Sequence, residues 1–564
     1  MRSIASLERV ELFDLANLTS LDVDYRNSQL SEVGLNGLPS MTDFTLWRLP
    51  SIEKVELTDL PNLTNLTITD GNLSVLSLNE VFELNNVRLD NNQLSDISAL
   101  SGMTNLTSLS MDNNQLSDIS ALSGMTNLTS LSMDNNQLSD ISALSGMTNL
   151  TSLRMDNNQL SDISALSGMT NLVTLTMSNN QLSDISALSG MTNLVTLTMS
   201  NNQLSDISAL SNTGYIAGGG GSLDLSNNRI SDVSSLVGWI ANGGMNLDNN
   251  SISDLSSWNE RVSSLSENEL YFTNTYCPVS IENQSITLPE IKWSSPLEMP
   301  VTVKDYNNTV VTPSAISDNG QFADDVITWA GLSNVNQDVT YSWIRQPLGS
   351  SNYVFNPRFS GTATTRVTPV GVKILVDDDG DSQTTGDQTL FAEKTNDIEY
   401  LEDIYNYAKE QLSGTDYGLV DVQADSTGDF YTFIVSKVGS LKTKDVNGDS
   451  IGTDKAYTPT YTVTGTGNAA QLDVSYGATV DSVPGYVYIY EKNTPQEVRY
   501  VPGANVNVSL TDTNGNGKPQ WQEDYTVVQY QKAGGLNPTL PDGSQVPGGT
   551  IAIPDDSIEG DRIT

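Results

Sequence analysis

Apolar residues return along this chain with a period too long for a helix and too regular for a loop. Leu106, Leu128, Leu150, Leu172 and Leu194 stand 22 positions apart, and each opens the pattern LxxLxM, as in Leu106-Leu109-Met111 and Leu128-Leu131-Met133. Alternation across Leu109 and Met111 predicts a short strand with one buried face. An Asn follows at a fixed offset, at Asn114, Asn136, Asn158, Asn180 and Asn202. There the chain turns inward, and the side-chain amide can bond backbone groups of neighbouring turns. Upstream, Leu18-Leu21-Val23, Met41-Phe44-Leu46, Leu63-Leu66-Ile68 and Leu84-Val87-Leu89 keep the register. A second set lies between them, Leu7-Val10-Leu12, Leu30-Val33-Leu35, Ile52-Val55-Leu57 and Leu73-Leu76-Leu78, continuing as Leu94-Ile97 and Leu116-Ile119. It is expected to line the opposite wall, with short strand-like turns on both sides.

This is the signature of a leucine-rich repeat. One turn cannot bury its own apolar face, so turns stack into a solenoid with a parallel sheet on the concave side. Leu223-Leu225-Asn228-Ile230 and Met245-Leu247-Asn250-Ile252 continue the array beyond an insert containing Gly218 to Gly221, and Cys277 marks its end. About twelve turns at about 4.8 Å each make a rod of about 55–60 Å. The first turn opens on Leu7, Val10 and Leu12 without a polar cap. Repeat arrays need covered ends, so a partner chain or upstream sequence is expected there.

Charge and composition narrow the chemistry. The formal net charge of −42 disfavours nucleic acid, whose binding needs a basic patch, and suits divalent cations and basic partners. There is no histidine, which removes Ser-His-Asp and Cys-His catalysis and His-ligated zinc together. A single cysteine, Cys277, allows no intrachain disulfide. No apolar run is long enough to span a bilayer. Met1 to Ser6 are not followed by a signal-type apolar region, so a leader was removed, lies on a longer precursor or was not needed.

The units "NLTSLSMDNNQLSDISALSGMTNL" resemble those of the internalins, bacterial surface proteins with 22-residue repeats. The resemblance is strong over residues 84–210 and weaker over the rest of the first 276. The segment that follows resembles the immunoglobulin-like domain that internalins fuse to their repeats, through "ISDNGQFADDVITW" (Ile316 to Trp329), "VTYSW" (Val339 to Trp343) and "FSGTAT" (Phe359 to Thr364). Alternating apolar runs over 278–370 independently suit a β-sandwich. The resemblance implies a cell-surface protein that binds a host or neighbouring-cell molecule through its concave face. No LPxTG-type signal is read before the final "IEGDRIT".

The expected fold is mainly β. A leucine-rich-repeat solenoid (1–277) precedes an Ig-like β-sandwich (278–370), an α+β domain with acidic loops (371–465) and a β-rich domain with a calcium-type loop and extended tail (466–564). In the third, Asn396 and Glu399 suggest a capping box. Ile398, Leu401, Tyr405, Ala408 and Leu412 form a helical stripe that Gly414 ends.

Candidate sites fall in two groups. "DTNGNGKPQWQE" fits a calcium loop, with Asp512, Asn514, Asn516, Gly517 and Glu523 at the ligating and turn positions. Asp377, Asp379, Asp381 and Asp445, Asn447, Asp449 are shorter loops of the same kind. Calcium is the implied cofactor, and a solvated Asp/Asn/Gly turn is the plainer reading. The second group lies on the concave face: Trp47, Arg88, Asp90, Asp112, Asp134, Arg154 and Asp156. Aromatic and Arg side chains are the usual anchors. The four Asp would repel one another at about 5 Å. They require salt, a cation or the two arginines, or else form a hydrated polar face. Another acidic column, Asp96, Asp118, Asp140, Asp162, Asp184 and Asp206, is expected to cap turns on the other wall.

Non-enzymatic adhesion or ligand binding at a cell surface is the leading function, with a protein or polysaccharide partner. Near-identical turns also suit other copies of the chain, in an extracellular filament, sheath or surface layer. A bacteriophage receptor-binding protein is a further alternative.

Overall fold

The computed structural model describes residues 7–24, 29–211, 213, 221–240, 243–266, 279–345, 357–376, 388–394, 398–424, 428–445, 447–479, 483–484, 486–488, 505–508, 525–532, 535–536 and 551–552. The protein is mainly β, and its first half is a leucine-rich-repeat solenoid. Strands from Ser20–Val23 and Asp43–Trp47 through Ser108–Ser110 to Gly243–Asn246 stack in parallel, each at the position the 22-residue register assigns. Leu109 and Met111 and their equivalents in the regular repeats, as far as Leu197 and Met199, face inward at 0–1% exposure. Cutting one such Leu to Ala would cost about 2–5 kcal/mol, because the stacked turns cannot collapse into the gap.

The opposite wall differs from the expectation. Arg9–Phe13, Glu32–Asn36, Lys54–Thr58 and Val75–Asn79 form a four-stranded parallel sheet. From Ser98 onward the wall is built from 3₁₀ turns, Ser98–Leu100, Ser120–Leu122 and their repeats. The cause is local. Asp96 Oδ1 accepts the Ser98 amide at 2.7 Å, as Asp118 does for Ser120 and Asp140 for Ser142. A short acceptor that binds its own backbone two residues on closes a turn where Val33-Gly34-Leu35 runs extended. Gly102, at φ +80°, then takes the left-handed exit that a side chain would disfavour. The acidic column of this wall therefore holds turns.

Asparagines stitch the turns together. Asn114 Oδ1 accepts the Leu94 amide of the preceding turn at 3.0 Å, and its Nδ2 donates to the carbonyls of Leu89 and Met111. Asn136, Asn158, Asn180, Asn202, Asn228 and Asn250 repeat the arrangement. The residue before each, such as Asn113 at φ +57°, sits in the left-handed region, which Asn tolerates better than most residues.

The long sheet does not stop where the repeats do. Val279–Thr287 pairs in parallel with Gly243–Asn246, and Arg358–Thr368, Gln337–Ile344 and Ala315–Ile316 extend it further. On the other wall, the Lys304 amide donates to Ser253 O at 2.8 Å and Lys304 O accepts the Leu255 amide at 3.1 Å. A second sheet, Leu297–Pro300, Gln321–Ala323 and Val326–Trp329, completes this region. Trp293, Trp329, Tyr341, Trp343 and Phe359 are buried there.

Beyond it, Gly371–Val376 pairs with Gln388–Lys394 and Phe430–Lys437. The helix Leu401–Leu412 buries Leu401, Ile404, Ala408 and Leu412, and Gly414 follows at φ +79°. Its N-terminal box is shifted from the expected pair: Asp403 Oδ2 accepts the amides of Glu399 and Tyr400. Asn396 lies outside the described residues. Ser440–Asp445 pairs with Tyr525–Lys532, so hydrogen bonding crosses the expected boundary at 465/466. Cys277 and Gly218 also lie outside the described residues.

Candidate functional site

The outward face of the long sheet carries two adjacent rows of side chains. Register aligns Thr45, Thr67, Arg88, Ser110, Ser132, Arg154 and Thr176 in the first. Two residues further along each strand, Trp47, Thr69, Asp90, Asp112, Asp134 and Asp156 form the second. The structure thus gathers all seven residues singled out on this face onto one surface, with Trp47 at the head of the acidic row.

The acidic row is not a hydrated array. Asp90 Oδ1 accepts the Ser110 hydroxyl at 2.6 Å and the Asp112 amide at 2.9 Å. Asp112 does the same for Ser132 and Asp134, each at 2.7 Å. Asp134 accepts the Asp156 amide, and Asp156 the Ser178 amide. Each carboxylate is therefore a clip onto the next turn, a second ladder beside the asparagines. Burial pushes the carboxyls of Asp112, Asp134 and Asp156 above their usual range, because their charge is half removed from water. The signal for this was present in the sequence as Ser110 and Ser132 one turn on, but only the fold shows that their hydroxyls point back.

The arginines partly offset this charge. Arg88 Nε donates to Asp90 Oδ2 at 2.7 Å, while its side chain stays 66% exposed. Arg154 Nε and Nη2 both reach Asp134 Oδ2, at 3.2 and 3.1 Å. Trp47 is half-buried, and the Arg48 guanidinium lies over its ring, 5.0 Å from the centroid. Sequence reasoning missed Arg48. It occupies the left-handed turn position at φ +55°, where the regular repeats place Asn. A long side chain there is a departure from the local rule.

The calcium-type loops stand differently. Asp377, Asp379, Asp381, Asp512, Asn514, Asn516 and Glu523 lie outside the described residues. In the third loop, Asp445 Oδ1 accepts the amides of Asn447 and Asp449 at 2.8 and 3.0 Å. These bonds, that from Asp449 first, hold its carboxyl below the usual range. Among the described residues, no three acidic or Cys side chains converge as a metal site would require.

Comparison with known proteins identifies the repeats and the region that follows them. Residues 83–124, 126–168 and 170–212 match the family described as leucine-rich repeats (two copies), and 308–365 match the one described as LRR adjacent. Internalin H of Listeria monocytogenes is 26% identical over 233 residues, covering 39% of this chain and 42% of that protein. The chain thus matches less than half the length of that relative. A crystal structure of an internalin (inlF) from the same species is 26% identical, with a TM-score of 0.36, over 46% of this chain and 78% of that one. The functional domain of InlJ, also from Listeria monocytogenes, is 21% identical, with a TM-score of 0.29, over 63% and 91%. Among the described residues, no helix is long and apolar enough to cross a membrane. With its repeats and the region adjoining them, the chain is an internalin-like leucine-rich-repeat protein.

Proposed function

We propose that this protein is an extracellular, non-enzymatic binding protein that presents the outward face of its long sheet to a protein or polysaccharide at a cell surface. The observation that carries this reading is the pairing of Trp47 with Arg48 at the head of that face. An aromatic ring and a guanidinium are the side chains that most often dominate binding energy, and Arg48 sits where the repeat otherwise prefers Asn. Further along the face, the Ser110 and Ser132 hydroxyls are spent on bonds to the preceding turn and contribute shape. Calcium held by the acidic loops of the C-terminal half remains part of the proposal, as a source of rigidity.

The test is binding of fluorescently labelled protein to intact cells. Trp47→Ala with Arg48→Ala should lower binding by more than tenfold, and Ser132→Ala by less than twofold. The reverse order would refute the assignment.

A further inference from the structure

Between the sandwich region and the C-terminal half the chain passes through Pro369 and Val370 alone, a connection short enough to be a hinge. It is not left free. Asn334, 3% exposed, reaches across from the loop Leu332–Asn334. Its Nδ2 donates to Val370 O at 2.8 Å and its Oδ1 accepts the Val370 amide at 2.8 Å. The side-chain amide thus pairs with the linker residue as a neighbouring strand would. The same residue donates its backbone amide to Glu399 O and its side chain to Ile398 O, both just before the helix Leu401–Leu412.

Further contacts enclose this point. Asn468 Nδ2 donates to Leu332 O at 2.8 Å while its Oδ1 accepts the Leu401 amide at 3.2 Å. On the other side of the joint, Trp293 packs on Tyr431 with ring centroids 6.0 Å apart, and Lys292 pairs with Asp429 at 2.6 Å. Leu332, Trp293, Val370, Ile398 and Leu401 are all buried. Bending at Val370 would leave buried amide groups without partners, each at a cost of the same order as a lost hydrogen bond. Ordinary interdomain linkers carry few such contacts.

We propose that Asn334 is the lock of a rigid joint that fixes the solenoid and sandwich at one angle to the unit built on Gly371–Val376 and Leu401–Leu412. The joint makes the chain a stiff arm, so the orientation of its outward face is set by the C-terminal half. This claim is independent of which ligand the face binds.

The experiment is a spin-label distance measurement on the full chain carrying Glu298→Cys and Asn406→Cys, with Cys277→Ser to remove the native thiol. Both labelled positions are exposed. The joint gives one narrow distance distribution. Asn334→Asp, which swaps two donors for acceptors facing carbonyls, and Asn468→Ala should each broaden it at least twofold, with helix content unchanged. A broad distribution in the parent would overturn the proposal. So would an unchanged width in Asn468→Ala combined with either an unchanged width or global unfolding in Asn334→Asp.

Discussion

Gln284 completes the asparagine ladder from outside the repeats: its Oε1 accepts the Ile252 amide at 2.9 Å, and its Nε2 donates to Leu247 O at 3.0 Å. The preceding Asn283 keeps the left-handed turn at φ +58°. The last turn of the solenoid is therefore satisfied by the first strand of the next region. Gln284→Ala leaves the buried Ile252 amide without its acceptor and Leu247 O with Asn250 Nδ2 as its remaining side-chain donor, and should destabilise the chain by about 1–3 kcal/mol. Urea unfolding followed by circular dichroism measures this. A midpoint equal to that of the parent would place the end of the solenoid elsewhere.

Inside the array the same logic is stronger. Asn136→Ala removes an acceptor for Leu116 and donors to Met111 and Met133 at once, and should cost about 2–4 kcal/mol. Asn136→Asp keeps the acceptor but turns a carboxylate toward two carbonyls, so it should be at least as damaging. Thermal unfolding of the two variants, with Ser123→Ala as an exposed control, checks the order.

These ladders mark how far the sequence could be read. The 22-residue register, the Leu and Met core and the inward-turning Asn follow from period and residue type, because each depends on its own turn. Gln284 was not legible: it is a different residue type, 34 positions beyond Asn250, across an irregular stretch. The acidic row was visible as a column, yet its role depends on hydroxyls one turn away, and an isolated strand does not show where those point. The switch from strand to 3₁₀ turn on the opposite wall was hidden for a related reason. Apolar spacing is similar in both, and the deciding atom is Asp96 Oδ1. Arg48 was missed because nothing in the pattern predicts which residue will break the left-handed Asn position.

The acidic row carries a pH signature. A carboxyl whose pKa rises on folding binds its proton more tightly folded than unfolded. Its charge costs the fold stability above the raised value, and that cost vanishes as pH falls through the raised value to the ordinary one near 3.9. Asp112 is such a group. Asp112→Asn keeps an oxygen for Ser132 and the Asp134 amide while removing the charge. The variant should melt higher than the parent at pH 7, with the difference shrinking toward pH 4. A variant that melts lower at pH 7 would show that the carboxylate charge stabilises the clip.

Calcium should raise the melting temperature of the full chain at millimolar concentration, in the weak extracellular range of about 10⁻⁴–10⁻³ M. Asp512→Ala with Glu523→Ala should abolish most of the rise. Identical melting with chelator and with calcium, in parent and double variant alike, would remove the metal from the account.

The central claim is that the outward face of the long sheet is what meets the ligand. A bulky polymer placed on that face tests it directly. Ser130→Cys stands on the face, and Ser142→Cys on the opposite wall at the same height along the rod. In a Cys277→Ser background, each is coupled to a 5 kDa polyethylene glycol (about 5 kDa, far larger than one turn), and binding to intact cells is compared. The account predicts that the polymer at Ser130→Cys abolishes binding and that at Ser142→Cys leaves it within about twofold, a difference of under about 0.4 kcal/mol. Loss of binding from the opposite wall, with the long-sheet face insensitive, would contradict it.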